Sequence, residues 1–162
     1  QEQGMVRGAT AVLRRAEGRF GEALEAGAAT VELTRTFGAG HQAVKQGHVE
    51  ANEAALALGE RERAVQLLTT IEKLPPGLRP PYLEAQAYRF RARLDGNEAG
   101  YRAAAARLRE LGIPFWRAVT LLEHGEEAGL AEAREIFERL GATPWLERVS
   151  AAASDRHLHV PA

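Results

Sequence analysis

Residues 59–74, GERERAVQLLTTIEKL, decide the fold class. A glycine opens the stretch. Behind it Ala64, Leu67, Leu68, Ile71 and Leu74 recur at the three- and four-residue spacing of one helix face, with charged and polar residues between them. The same period continues downstream in Leu83, Ala87, Phe90 and Leu94, then in Tyr101, Ala104, Leu108 and Leu111, and again in Leu130, Ala133, Ile136, Phe137 and Leu140. Upstream it is softer, through Met5, Ala9, Val12 and Ala16, then Phe20, Leu24, Val31 and Phe37. Breakers separate the stripes: Gly18, Gly38 to Gly40, Gly59, the proline-rich stretch 75–81, Asp95-Gly96-Asn97, Gly112 with Pro114, Gly125 to Gly129, and Gly141 with Pro144. Thr143 before Pro144 predicts an N-cap followed by proline in the first helical position. Cutting at these points predicts about nine helices of roughly 10 to 18 residues, short-looped and antiparallel.

Composition agrees with an all-α chain. Alanine supplies roughly a fifth of the residues, and Leu, Glu and Arg much of the rest, all strong helix formers. The 162 residues suffice for one domain with a real core. Without cysteine there is no disulfide, thiolate metal site or thiol nucleophile, which fits a reducing compartment, so the cytoplasm is the expected location. A formal charge of -1 gives no basic field for nucleic acid, and no apolar run is long enough to span a membrane. The chain begins at Gln1, so it is expected to be a piece of a longer protein.

The helices also repeat as pairs. Similar chemistry opens each second helix: Gly18-Arg19-Phe20-Gly21-Glu22-Ala23, Gly59-Glu60-Arg61-Glu62-Arg63-Ala64, Tyr101-Arg102-Ala103 and Gly129-Leu130-Ala131-Glu132-Ala133. Alanines at 23, 64, 103 and 133 are expected where paired helices cross closely, at spacings of 41, 39 and 30 residues. This pattern of turn glycine and following alanine resembles the tetratricopeptide repeat. The segment Ala128 to Val149 is similar to the closing part of helical-repeat regions in bacterial multidomain signalling proteins, including class III adenylate/guanylate cyclases and LuxR-type or MalT-like regulators. The resemblance implies a right-handed superhelix of about four antiparallel helix pairs plus a C-terminal capping helix. That domain would cover residues 1–154, followed by a tail at 155–162, and would regulate a catalytic or nucleotide-switch core carried elsewhere. The spacings exceed the usual repeat length at first, and the prolines at 75–81 interrupt regular stacking.

No enzyme is expected from these residues. No phosphate-binding glycine loop occurs, Ser150 and Ser154 lack a base placed by sequence, and the adjacent Glu126 and Glu127 point apart on a helix. No cofactor or metal is expected either. His124 among Glu123, Glu126 and Glu127 lacks a second histidine four residues away, and His157 and His159 lie near the chain end. The candidate binding residues are polar rows at helical spacing: His41, Lys45, His48 and Asn52; Tyr82, Gln86, Arg89 and Arg93; then Arg117, Thr120 and His124. On the first helices of stacked pairs these rows would share one concave groove for an acidic protein segment, or else they are outward faces of amphipathic helices. Residues 79–109 carry seven arginines against three acids, and residues 110–148 carry eight glutamates against four arginines. Such patches either meet between copies, as in a homodimer, or are solvated faces. Three functions follow as expectations: a protein-interaction module regulating a larger signalling protein, a small-molecule effector sensor of the MalT-like kind, or an oligomerisation arm.

Overall fold

The computed structural model describes residues 2–158, with side chains placed from Met5 to Arg156. The described residues form helices joined by turns, bends and short loops, with no strand among them. Nine α-helices of 11 to 16 residues run α1 Glu2–Ala16, α2 Phe20–Val31, α4 Gln42–Ala57, α5 Arg61–Glu72, α6 Pro81–Asp95, α7 Glu98–Glu110, α8 Pro114–His124, α9 Glu127–Leu140 and α10 Thr143–Leu158. A single extra turn, α3 Thr34–Phe37, follows α2, and the proline-rich stretch makes a 3-10 turn at Pro76–Leu78. No helix among them is long and apolar enough to cross a membrane. The chain forms two compact units, Gln1–Phe90 and Arg91–Ala162, divided within α6. Within each, helices pack mostly on sequence neighbours: α1 on α2, α2 on α4 and α4 on α5 in the first, and α7, α8, α9 and α10 successively in the second. The one further contact of this kind is α1 against α4.

Helix ends follow the breakers. Gly59 takes φ +74, and the paired bonds Gly59 N to Leu56 O and Glu60 N to Ala55 O close α4 as a Schellman turn. Gly141 does the same for α9, through Gly141 N to Glu138 O and Ala142 N to Phe137 O. At their starts, α4 is capped by His41 Nδ1, which accepts from Ala43 N at 3.3 Å, and α7 by Asn97 Oδ1, which accepts from Gly100 N at 3.3 Å. The α10 start differs from the expected cap. Ala142 O already accepts from Leu146 N, so Thr143 lies inside the first turn. At the other end, residues 155–158 continue α10, and His159 lies outside the described residues.

The first unit is assembled from small residues. At the α2–α4 crossing a Cβ on Gly47 would stand 2.7 Å from Thr30 Cβ and 3.0 Å from Gly27 O. One on Gly27 would stand 2.9 Å from Ala51 N. Backbone therefore meets backbone, and α4 buries ten of its residues, among them Ala43, Val44, Val49, Ala51, Ala54 and Ala55. The α1 stripe expected at Met5, Ala9, Val12 and Ala16 is rotated away: Met5 is 63% exposed, and Ala9 and Ala16 are exposed too. Instead α1 turns Gly8 and Ala11 inward, toward Ala43 and Gln46 of α4.

The second unit packs large side chains. Phe137, fully buried, lies 5.5 Å from the Trp145 ring in a stacked pair, and Phe115 meets both edge-on at 6.1 and 5.4 Å. Val119, Leu130, Ile136 and Val149 complete this core, which joins α8, α9 and α10. Of the four crossing alanines expected, Ala23, Ala64 and Ala133 are fully buried, but Ala103 is exposed and Ala104 takes its place. The cause is where the helices start. Ala23 and Ala64 stand three residues after the first residue of α2 and α5, whereas Ala104 and Ala133 stand six after that of α7 and α9. The two units thus use registers one helical turn apart.

Replacing Gly47 with Ala is expected to destabilise the first unit by about 1–3 kcal/mol in urea unfolding, because neither Thr30 nor the Gly27 carbonyl can withdraw freely. Gly21→Ala, in the same kind of helix but with open space around it, is expected to be neutral or to stabilise by up to about 1 kcal/mol. Equal stability of the two variants would show that the crossing is not tight.

Candidate functional site

The rows picked out by sequence fall seven in the first unit and four in the second. In the first, α4 carries His41, Lys45, His48 and Asn52. His41 is spent on the α4 cap and packs on the Phe37 ring at 5.1 Å; Lys45 is half-buried. His48 and Asn52 are buried, and Asn52 Nδ2 donates back to His48 O at 2.8 Å. On α6, Tyr82 is half-buried while Gln86 and Arg89 are fully enclosed. Arg89 donates through Nη1 to Gln86 Oε1 at 2.8 Å and through Nη2 to Glu53 of α4. Burial pushes the Tyr82 hydroxyl, which hydrogen-bonds Gln86, up to about 12. One turn from Glu53, Glu50 is also buried and takes Arg15 of α1. So α4 offers two inward carboxylates, and each receives an arginine from a different helix. A buried charge stands only with such a partner.

In the second unit Arg93 contacts Glu123 at 3.3 Å, Arg117 pairs with Glu132, and Thr120, buried, donates to Trp116 O at 2.7 Å. The His124 ring stacks on Tyr101 at 5.4 Å, with Nε2 3.5 Å from Glu126 Oε1. Glu98 joins this group, but Arg102 contacts both carboxylates, at 2.7 Å from Glu126 and 3.4 Å from Glu98. Hydrogen bonding from Arg102 holds the Glu126 carboxyl below its usual range. The basic and acidic segments therefore meet each other inside this unit: Arg93 and Arg102 take Glu123 and Glu126.

Two hollows escaped sequence reasoning. Between α9 and α10 runs a groove of about 220 Å³ with Leu130, Ala131, Val149 and Ala153 in its walls and Arg134 and Arg156 beside them. A second, of about 210 Å³, opens beside His48. His48 is 1% exposed, and neither ring nitrogen has a hydrogen-bond partner. Its enclosure lowers its protonation from an ordinary 6.5 to about 4. The signals were faint: Val149 and Ala153 about one turn apart for the groove, and a histidine one residue after an interior glycine for the other.

That shift has a sign. In the unfolded chain His48 binds a proton near pH 6.5, in the fold only near 4, so between these values the unfolded state holds more protons. Stability attached to His48 is thus complete above about pH 6.5 and is lost as pH falls toward 4, by on the order of 3 kcal/mol in all. The His48→Asn variant is expected to show a flatter fall in unfolding midpoint over this window. Glu32 and Arg35, which wall the same hollow, are unchanged in that comparison. Identical slopes for the two proteins would mean His48 is not held neutral. Comparison with known proteins gives no match, whether to a family model, a curated protein or a solved structure.

Proposed function

We propose that this chain is a non-catalytic interaction module, a tetratricopeptide-like solenoid of stacked helix pairs that regulates a larger signalling protein by docking a helical segment of a partner. Packing of helices on their sequence neighbours supports the stacked-pair reading, as does the contact of α1 with α4, the first helices of two successive pairs. Recurrence of a buried alanine near the start of α2, α5, α7 and α9 supports it too.

The observation that carries the docking role is the α9–α10 groove. Its floor is aliphatic, through Leu130 and Val149, and its walls come from two neighbouring helices. A third helix laid into such a groove buries an apolar face at i, i+3, i+4 and i+7. Arg134 and Arg156 stand at the walls with Glu127 as the one acid, so the occupant that fits is an amphipathic helix with acidic flanks. The paired arginines of the former rows are less suited to this role, because Arg89, Arg93 and Arg117 already hold Glu53, Glu123 and Glu132. Arg134 and Arg156 hold only neutral acceptors, the Ser150 hydroxyl and the Gly125 carbonyl, and so keep their full charge for an acidic partner.

The test uses a labelled helical peptide with leucines at i, i+4 and i+7 and glutamates on either side, followed by fluorescence anisotropy. It is expected to bind, and Ala131→Arg, which fills the groove from an exposed position, is expected to weaken binding by about tenfold or more while leaving the unfolding midpoint in place. A peptide that fails to bind, or binds Ala131→Arg equally well, removes the groove from consideration.

A further inference from the structure

The hollow beside His48 has a chemistry of its own. Val31 and Glu32 at the end of α2, Thr34 and Arg35 of α3, His48 of α4 and Thr70 of α5 line an open hollow of about 210 Å³, room for several waters or one small metabolite. Glu32 and Arg35 are exposed and edge its opening, whereas His48, 1% exposed, closes its inner side. Neither the Glu32 nor the Arg35 side chain has an ion-pair or hydrogen-bond partner among the described residues. The Thr34 hydroxyl donates to Val31 O at 2.5 Å and the Thr70 hydroxyl to Leu67 O at 2.6 Å. Each therefore turns only lone pairs toward a ligand. Acceptors in the wall are thus a carboxylate, two hydroxyl oxygens and one imidazole nitrogen; donors are the guanidinium and the imidazole N–H.

A full set of both kinds, with opposite full charges at the rim and a neutral polar group at the back, defines a ligand. We propose that this hollow binds a small zwitterion, a free α-amino acid with a short polar side chain. Its carboxylate lies on Arg35, where the guanidinium fork matches it; its ammonium lies on Glu32; its hydroxyl or amide meets His48. The buried imidazole then gains the partner it lacks in the free protein. An unpaired buried polar group is costly, so relieving it adds to affinity and discriminates against a side chain that cannot hydrogen-bond. The site lies within the first unit and is independent of the α9–α10 groove, so failure of either leaves the other standing.

The probes are L-serine, L-asparagine and L-alanine, with ethanolamine and lactate supplying the amine and carboxylate halves separately. Each is titrated at millimolar concentration while the His48 ring resonances and the unfolding midpoint are followed. Serine or asparagine is expected to shift those resonances saturably and raise the midpoint, with alanine weaker by about tenfold. Glu32→Gln and Arg35→Gln, both exposed changes that leave the fold intact, are each expected to weaken binding by about tenfold or more. Three results would overturn the assignment: no saturable shift with any amino acid, equal binding by both variants, or ethanolamine or lactate binding as tightly as serine.

Discussion

The close crossing of α2 and α4 is the constraint on which the first unit depends. Two glycines, Gly27 and Gly47, bring the helices together so closely that a Cβ on either would meet the other helix's backbone within about 3 Å. Once α4 is drawn in that far, it is enclosed on more sides than its composition suggests. Its apolar residues are mostly alanine and valine, which suit close neighbours, but the same enclosure captures His48, Glu50 and Asn52. Charges drawn inward by geometry need opposite charges drawn in with them. Arg15 from α1 and Arg89 from α6 meet that need, the first on Glu50 and the second on Glu53. The glycine crossing and the two ion pairs hold the same helix. Removing an arginine alone would strand a carboxylate, at a cost that a well-packed apolar replacement of both partners would avoid.

The second unit solves the same problem of joining antiparallel helices by other means. Phe115, Phe137 and Trp145 interlock edge to face and in a stack, so α8, α9 and α10 stand off at the distance that large rings require. Arg148 lies over the Trp145 ring at 4.4 Å, so the aromatic core reaches the surface under a charged cover. The one-turn shift in alanine register between α2 and α5 on one hand and α7 and α9 on the other belongs to this difference.

The helices and their ends were legible in the sequence because both are local. A period of 3.6 and a glycine at positive φ need no distant partner to be recognised. What was misjudged is non-local. Hydropathy ranks Met5 above Gly8, yet the face that α1 turns inward carries Gly8 and Ala11 and leaves Met5 exposed. His48, Asn52, Gln86 and Arg89 were placed along an open groove because polar residues are usually outside. That Arg89 is enclosed follows from Glu53, 36 positions away, and nothing in the spacing of either helix announces the pair. Ala103 was preferred to Ala104 because the start of α7 was aligned on Tyr101, a full turn inside the helix that Asn97 caps.

Pairing also separates structural from available polar groups. Glu50, Glu53, Arg15 and Arg89 are occupied with one another, and together with the glycine crossing they fix α4 from several sides. His48 sits one residue beyond Gly47, on the most constrained stretch of that helix. A side chain on a mobile segment escapes an unsatisfied position by rotating or by local opening. On α4 the backbone at this point has no room to shift, so the imbalance at His48 persists in the folded state. An unsatisfied imidazole on a rigid frame keeps its desolvation cost in the folded state. The same packing that makes the first unit intolerant of a single methyl group at Gly47 therefore holds the backbone that carries His48.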